Sequence, residues 1–507
     1  MTEQADRTRD AVLTWLKART KPGAHLCIDS RNIRPGDVFV ALKGEHTDGL
    51  SWAPVAVARG AAAVLTEERE GEKRPVLQVP VLAVRELKKR LGEIASDFFG
   101  RPSEHMMGTA VTGTNGKTSI SHWTARLLSA LHHPCAAVGT MGCFYMGEKI
   151  PSPALTTPDA ASTQDLFSNL YGRGCQAFCI EASSIGLVQG RLDGTAFHTA
   201  AFTNLTRDHL DYHGSMQAYE EAKALLFDWP GLKCAVINAD DAAGRRLIEK
   251  TLARGVRTIA CTLDAALQIE GCEMLAAGNI RAAHAGTAFD ALWRGERFEI
   301  EAAVLGRFNV SNLLETAGIV LSLGIPARAV FGKLTELTPP AGRLQTVTSE
   351  GAPLAVVDYA HTPDALEKVL TALRETAEHR GGRLWCVFGA GGDRDPGKRP
   401  IMGRVAAELA DVAVVTSDNP RTEEPAVIAQ AVAEGAAPAR DRRVVLDRRE
   451  AIASAVTEAA AADVVLIAGK GHEDYQEIQG VKHHFSDVEV VREAFNERRT
   501  RVGGKSA

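Results

Sequence analysis

The run 109–119, Thr-Ala-Val-Thr-Gly-Thr-Asn-Gly-Lys-Thr-Ser, constrains the chain more than any other stretch. An apolar β-type residue, Val111, leads into a loop of small residues, and a Lys-Thr pair then opens residues 120–128, which read as a helix. A strand that turns through glycines into a helix N-terminus aims backbone N–H groups and the positive end of the helix dipole at an anion. Lys117 adds a point charge and Thr118 a hydroxyl suited to Mg2+. The spacing departs from the common phosphate loop, because only two residues separate Gly113 from Gly116. An ordinary strand–turn–helix junction has no need of Gly, Lys and Thr in this order. The stretch therefore predicts an α/β fold that binds ATP through Gly113, Thr114, Asn115, Gly116, Lys117, Thr118 and Ser119.

At 507 residues the chain exceeds a single core, and about three domains is the natural expectation. Hydrophobic residues at 45% and charged residues at 24% describe an ordinary globular protein. A formal net charge of -5 argues against nucleic acid or an anionic membrane as partner, so an anionic substrate has to be met by local positive charge. Met1 to Arg7 is polar with no apolar run behind it, and no apolar stretch is long enough to span a bilayer; a cytoplasmic location is expected. Nine cysteines without a Cys-x-x-Cys pair read as free thiols rather than disulfides or zinc ligands.

Residues 10–19 read as a helix, 38–42 as a buried strand after the turn Pro35-Gly36-Asp37, 52–59 as a helix closing at Gly60, and 61–65 as a strand. A helix at 87–99 completes a small α/β unit, and 100–103 read as a linker. Ser30 and Arg31 follow a strand, where a hydroxyl and a guanidinium can grip a diphosphate, although the plain reading is a turn with a surface arginine. Further on, 136–140 is a strand, and Thr157 with Pro158 makes a conventional start for the helix 160–170. The strand at 178–181 ends on Glu181. Ligands collect at the carboxyl ends of strands in open α/β sheets, which puts Glu181 where a metal–phosphate site belongs.

The strand 200–205 runs into Arg207, Asp208, His209, Asp211 and His213, a density that points to a metal or phosphate role. Lys223 lies in the helical run 219–227, and periodicity alone makes it a solvated helix lysine. Residues 258–303 are strand-rich, and Asn309 and Asn312 ahead of the helix 313–323 either cap it or hold adenine or ribose. Residues 339–343 read as a second hinge. Beyond it, 354–359, 366–377, 383–389, 405–409, 412–417 and 464–468 alternate in the rhythm of a doubly wound parallel sheet. Polar clusters follow four of its strands, at 358–363, 389–395, 417–421 and 469–474, and together they predict one crevice.

Taken together, these stretches resemble the Mur ligase family, in its order, from Asp29 to Glu473. Thr-Gly-Thr-Asn-Gly-Lys-Thr alone marks only a superfamily that includes folylpolyglutamate synthase. Asp-Ser-Arg with Pro-Gly-Asp-x-Phe-Val-Ala narrows it to enzymes with a nucleotide-sugar domain at the N-terminus. Leu-Thr-Thr-Pro (155–158), the run 203–214, Asp-Tyr-Ala-His-Thr-Pro-Asp-Ala-Leu (358–366), the run 391–400, Asp-Asn-Pro-Arg (418–421) and Gly-Lys-Gly-His-Glu-Asp (469–474) point to the ligases that add the diamino acid.

The resemblance implies three α/β domains: a nucleotide-sugar domain at 1–104, a central ATPase-like parallel sheet at 105–340 and a Rossmann-like doubly wound domain at 341–507. It also implies that ATP activates UDP-N-acetylmuramoyl-L-alanyl-D-glutamate as an acyl phosphate and that meso-2,6-diaminopimelate attacks it, in a cytoplasmic monomer. Lys117 and the loop amides, with Asn309 and Arg343, would hold ATP; Thr118, Glu181, His209 and a carbamylated Lys223 would serve Mg2+. Ser30, Thr156, Thr157, Ser183, Gln189 and Arg191 would hold the muramoyl dipeptide. Arg394, Asp418, Asn419, Pro420, Arg421, Gly469 and Glu473 would hold the amino acid. Arg421 answers the second carboxylate of diaminopimelate, which lysine lacks, and Glu473 the distal ammonium. The family commonly reads Ser-Ser-His after the strand ending at Glu181; here the third residue is Ile185. The rival readings are a sibling ligase that adds L-lysine, the dipeptide-adding enzyme, and a nucleotide-regulated scaffold, which would require degenerate clusters in the third domain.

Overall fold

Val38-Phe39-Val40-Ala41 is buried at all four positions, the signature of a strand covered on both faces, and it lies inside a parallel sheet. The computed structural model describes residues 2–3, 8–44, 47–68, 76–153, 155–283 and 286–503; of the polar N-terminal stretch, residues 1 and 4–7 lie outside these. The first sheet comprises β1 (Thr2–Glu3), β2 (Leu26–Cys27), β3 (Val38–Ala41), β4 (Ala63–Glu67) and β5 (Val81–Val84), in the order β1-β5-β4-β3-β2. The helix Leu87–Phe98 turns Leu87, Leu91, Ile94 and Ala95 inward, one stripe of an amphipathic helix. Residues 100–103 are not a loose linker. Pro102 and Ser103 are buried in a 3-10 turn, and Ser103 Oγ accepts the N–H of Ala196 at 3.0 Å.

The second sheet is built from β6 (Met107–Thr112), β7 (Cys135–Gly139), β8 (Gly142–Tyr145), β9 (Glu148–Ile150), β10 (Ala177–Glu181), β11 (Thr199–Phe202), β12 (Cys234–Asn238) and β13 (Arg257–Thr262). Its order is β13-β12-β11-β6-β10-β7-β8-β9, parallel from β13 to β7. The chain leaves β6 toward β7 and later fills β11 on the other side, so the winding reverses at β6. That reversal opens a crevice at the carboxyl ends of β6, β10 and β11. The two sheets belong to one compact unit, Met1–Leu275 with Leu314–Lys333. Their joint is backbone against backbone, since a Cβ on Gly92 would stand 2.1 Å from the carbonyl oxygen of Asp193.

The other unit is Ala276–Leu313 with Leu334–Ala507. β14 (Glu273–Ala283) straddles its start, and β15 (Gly286–Trp293) and β16 (Glu296–Ala302) pair antiparallel. Its main sheet contains β17 (Gln345–Val347), β18 (Leu354–Asp358), β19 (Leu384–Phe388), β20 (Val412–Val415), β21 (Asp441–Val444) and β22 (Val464–Ala468), ordered β17-β18-β22-β19-β20-β21 and parallel except for β17. Apolar clusters cover both faces, as a doubly wound sheet requires. β23 (Tyr475–Ile478) and β24 (Val481–His484) form a separate hairpin. Residues 405–409 belong to the helix Lys398–Leu409.

Candidate active site

Gly113 leaves β6 at φ +142, and a Cβ there would stand 1.9 Å from Thr203 Oγ1, so only glycine permits this approach to the end of β11. The end of β11 holds the loop. Thr114 N–H donates to the Asn204 carbonyl (2.8 Å), Asn115 N–H to Asn204 Oδ1 (3.0 Å), and Thr203 Oγ1 to the Asn115 carbonyl (2.5 Å). Gly116, at φ +90, starts the helix Lys117–Ala130, whose first amides at Lys117, Thr118 and Ser119 precede any intrahelical acceptor. Lys117 Nζ donates to the carbonyls of Gly113 and Thr114, both at 2.9 Å.

Lys223 contradicts its helical-surface reading. It is 2% exposed, its Nζ donates to the same Gly113 carbonyl at 3.0 Å, and it lies 4.1 Å from the centre of the Tyr219 ring. Burial, reinforced by the Lys117 ammonium, holds its pKa well below the usual lysine range. Burial also pushes the Tyr219 phenol up to about 12, while its oxygen lies 3.3 Å from Thr114 Oγ1. His209 adopts a left-handed conformation ahead of the turn Leu210–His213, half-exposed, with Nε2 3.5 Å from Asp208 Oδ2 and its ring edge-on to Tyr219.

Glu181 ends β10 fully buried, and its carboxylate accepts from both the N–H (3.0 Å) and the hydroxyl (3.1 Å) of Thr140 at the end of β7. Thr140 Oγ1 lies 3.1 Å from Thr156 Oγ1. Thr157 does not cap the helix Ala160–Gly172; Asp159 does, accepting from Ala161 and Ser162. Pro158 leaves Thr157 outside the helix, and its hydroxyl donates to the Glu181 carbonyl (2.8 Å) and accepts the Ser183 N–H (3.0 Å). Arg191, its pKa lowered by burial, reaches the Thr157 carbonyl at 3.0 Å and forks onto Gln189 Oε1. Ile185 brings no polar group to this turn, but an imidazole reaches it from elsewhere, with His213 Nε2 2.9 Å from Ser184 Oγ. Ser30, buried, starts a 3-10 turn capped by Asp29 on the first sheet.

In the second unit the four polar clusters lie at the carboxyl ends of β18, β19, β20 and β22. A Cβ on Gly469 would stand 2.4 Å from Asp418 Oδ2, and one on Gly392 2.0 Å from the Pro420 carbonyl oxygen, so these loops meet at glycines. Arg421, at φ +52, donates to the Gly392 carbonyl (2.7 Å) and pairs with Glu477 at 3.6 Å. Asn419 Nδ2 donates to Glu473 Oε2 at 2.8 Å. Arg394 reaches the Asp393 carbonyl at 3.4 Å. Arg343 lies over the Tyr359 ring beside the buried Asp358, whose carboxyl is raised by burial and accepts the N–H groups of Leu344 and Ala360. The helix that 313–323 predicted begins at Arg307, so Asn309 lies in its first turn, buried, donating to the Leu305 carbonyl and accepting from Asn312.

The structure thus gathers the loop 113–119 with Lys223, and Glu181 with Thr156, Thr157, Ser183, Gln189 and Arg191. It separately gathers Asp418, Asn419, Pro420, Arg421, Gly469 and Glu473. Thr140, Thr203, Tyr219 and Lys470 were missed, although Thr140 and Thr203 carried the signal of a polar residue just past a buried strand. Among the described residues no three His, Cys, Asp or Glu side chains group as a ready metal cage, and all nine cysteines are free.

Comparison with known proteins agrees with this arrangement. Residues 24–99 match the Mur ligase family catalytic domain, 111–320 the Mur ligase middle domain and 342–471 the Mur ligase glutamate ligase domain. The UDP-N-acetylmuramoyl-L-alanyl-D-glutamate--2,6-diaminopimelate ligase of Janthinobacterium sp. (strain Marseille) is 47% identical over 495 residues, 96% of this chain and 97% of that protein. A solved structure of a ligase of the same name superposes with a TM-score of 0.70 at 37% identity, covering 94% of this chain and 96% of that one. The MurF ligase of Thermotoga maritima in complex with ADP shares the fold, with a TM-score of 0.64 at 19% identity, over 94% and 98% of the two chains. With three family segments in order and a relative alike over nearly its whole length, the chain belongs to the Mur ligase family.

Proposed function

We propose that this chain is the ATP-dependent ligase that joins meso-2,6-diaminopimelate to UDP-N-acetylmuramoyl-L-alanyl-D-glutamate in peptidoglycan precursor synthesis, acting as a cytoplasmic monomer. The observation that carries the reading is the 47% identity, over 96% of the chain, to a ligase whose name states both joined molecules. The family segments at 24–99, 111–320 and 342–471 support a partition into a muramoyl-nucleotide domain (1–104), an ATP domain (105–340) and an amino-acid domain (341–507).

A carboxylate is a poor acyl donor. The γ-phosphoryl group of ATP passes to an oxygen of the D-glutamate side-chain carboxylate, and ADP departs. The amine of diaminopimelate then attacks the acyl carbon, loses a proton, and phosphate leaves with the C–O bond. The protein's contribution is positioning and neutralisation of phosphate charge. Lys117 and the amides of 116–119 cradle the β- and γ-phosphates. For this Lys117 leaves the carbonyls of Gly113 and Thr114. Thr156, Thr157, Ser183, Gln189 and Arg191 hold the muramoyl dipeptide beside Glu181, with Ser30 on the nucleotide-sugar side.

Mg2+ prefers hard oxygen ligands and keeps several waters. The Thr118 hydroxyl and the Glu181 carboxylate, already oriented by Thr140, fit it by kind, and His209 follows Thr206, whose N–H donates to Thr114 Oγ1 in the phosphate loop. An ammonium at Lys223 would repel it. The depressed pKa favours the neutral amine of Lys223 over its ammonium, and the amine is the form that attacks carbon dioxide; an N–C bond forms, a proton is lost, and an anionic carbamate results. That modification turns a misfit into a ligand. When bound, Mg2+ draws off phosphate charge during the transfer.

The test is phosphate release by the purified protein given ATP, the muramoyl dipeptide and one amino acid at a time. Release with diaminopimelate and little with L-lysine is expected. Release with L-lysine instead would move the chain to the sibling ligase, a reading that Arg421, a cation matched to a second carboxylate, does not favour. No release with any amino acid would overturn the ligase reading.

A further inference from the structure

Lys470 stands between two glycines in the loop after β22 and is 0% exposed. Its Nζ donates to Asn419 Oδ1 at 3.0 Å and to Glu473 Oε2 at 3.1 Å. Asn419 Nδ2 donates to that same Glu473 oxygen at 2.8 Å, so three side chains from two loops close a triangle. Asn419 Oδ1 also accepts the N–H of Glu477 at 2.9 Å. Two donors facing one oxygen fix the orientation of the carboxamide, because a flipped amide would set its NH2 against an ammonium and an N–H. The Asn419 side chain is therefore committed to Lys470, Glu477 and Glu473. Among the described residues Glu473 Oε1 receives no hydrogen bond, and this oxygen is the one left for a ligand.

A buried ammonium is costly where an apolar side chain of similar volume would fill the space, and here it is held by a carboxylate, an amide oxygen and the Tyr475 ring 5.4 Å away. We infer that Lys470 is a positioning residue for the amine substrate: it locks Asn419 and Glu473 together so that Glu473 presents one fixed carboxylate oxygen to the distal ammonium of a diamino acid. The inference rests on the ligase reading above. Lys470 does not touch the substrate; it acts through Glu473.

The experiment is a double-mutant cycle on the full-length protein, with Lys470→Met, Glu473→Gln and the combination, measured as kcat and KM for each substrate. Lys470→Met is expected to raise KM for diaminopimelate about tenfold, with kcat and the KM values for ATP and the muramoyl dipeptide within about twofold. The double variant is expected to match Glu473→Gln alone. Lys470→Gln, which keeps a shorter N–H donor, is measured in parallel in case the Met variant fails to fold, and an intermediate KM is expected. An unchanged KM for diaminopimelate in any folded Lys470 variant overturns the assignment. So do losses spread evenly over all three substrates, or losses that multiply with those of Glu473→Gln. A wild-type protein that ligates no diamino acid would instead remove the ligase reading itself.

Discussion

Two lysines lose nearly all contact with water, Lys223 in the first unit and Lys470 in the second, at 2% and 0% exposure. Their surroundings differ in one respect. Lys470 faces a carboxylate, Glu473. Lys223 faces a backbone carbonyl and an aromatic ring, and the charge that bears on it most strongly belongs to another cation, Lys117. Burial beside a counter-charge favours the charged form of a lysine, and burial beside a like charge disfavours it. The first arrangement builds a rigid fixture. The second disfavours the ammonium beside the phosphate loop, which is the condition the proposed carbamylation requires. A buried lysine is therefore not one kind of object, and its partners decide whether it serves as a strut or as a reagent.

The largest effect expected from breaking this contrast is at Lys223. Lys223→Ala should lower kcat about a thousandfold, since it deletes the proposed anionic metal ligand at the phosphates. Added bicarbonate cannot rescue a residue with no amine, but partial rescue by short-chain carboxylic acids is expected. Unchanged activity would remove the carbamate from the mechanism. A native mass measurement on the intact protein in bicarbonate buffer should show one added carbon dioxide, lost in Lys223→Ala and kept in Lys470→Met.

Next in size is the selectivity of the amine site. Arg421 is held at φ +52 with one guanidinium nitrogen on the Gly392 carbonyl, which fixes where its charge stands. Arg421→Ala should cost about a hundredfold in kcat/KM for diaminopimelate, the loss of a charge-assisted pair, and less than about threefold for L-lysine. Equal losses for both would show that Arg421 shapes the loop rather than reads the second carboxylate.

These two lysines also mark where sequence reasoning succeeds and stops. The loop 113–119 was legible because phosphate recognition there uses consecutive backbone groups, and contiguity in sequence is contiguity in space. Strand ends were legible for a similar reason: a short apolar run stops where polar residues begin, which located Glu181 and the clusters at 358–363, 389–395, 417–421 and 469–474. Lys223 was not legible from its pattern. It sits on a helix at a spacing that fits a surface residue, and the carbonyl that holds its amine, Gly113, is 110 positions away. Thr157 misled in the opposite direction: Pro158 made it look like a cap, but Asp159 supplies the cap and frees the hydroxyl for β10. Asn309 reads as the start of a helix whose first turn, from Arg307, already contains it. Lys470 was in plain view inside Gly-Lys-Gly-His-Glu-Asp, yet its purpose depends on Asn419, which another strand delivers.

A smaller effect should separate the lysines by stability alone. Removing one partner of a buried pair leaves the other charge uncompensated, so Lys470→Met should destabilise the protein by about 2 kcal/mol. Lys223→Met removes a polar group without a carboxylate partner and should stabilise the bicarbonate-free protein by about 1 kcal/mol. Thermal or urea unfolding of the two variants checks both signs, and a destabilised Lys223→Met would mean that its bond to Gly113 outweighs the burial of its amine.

The finest test is the pH dependence of that second difference. In the unfolded chain Lys223 titrates near 10.4, whereas in the fold burial and Lys117 hold its pKa well below that range. Between the two values the unfolded state binds a proton that the folded state does not, so stability rises with pH there. Below the folded pKa both states are charged and the full burial penalty is present; above about 10.4 both are neutral and it vanishes. The stability of the wild-type protein relative to Lys223→Met, in buffers purged of carbon dioxide, should climb with pH by at most about 1.4 kcal/mol per unit inside this window. A flat difference across that window would mean that the fold does not depress the Lys223 pKa, and the proposed carbamylation would lose its physical basis.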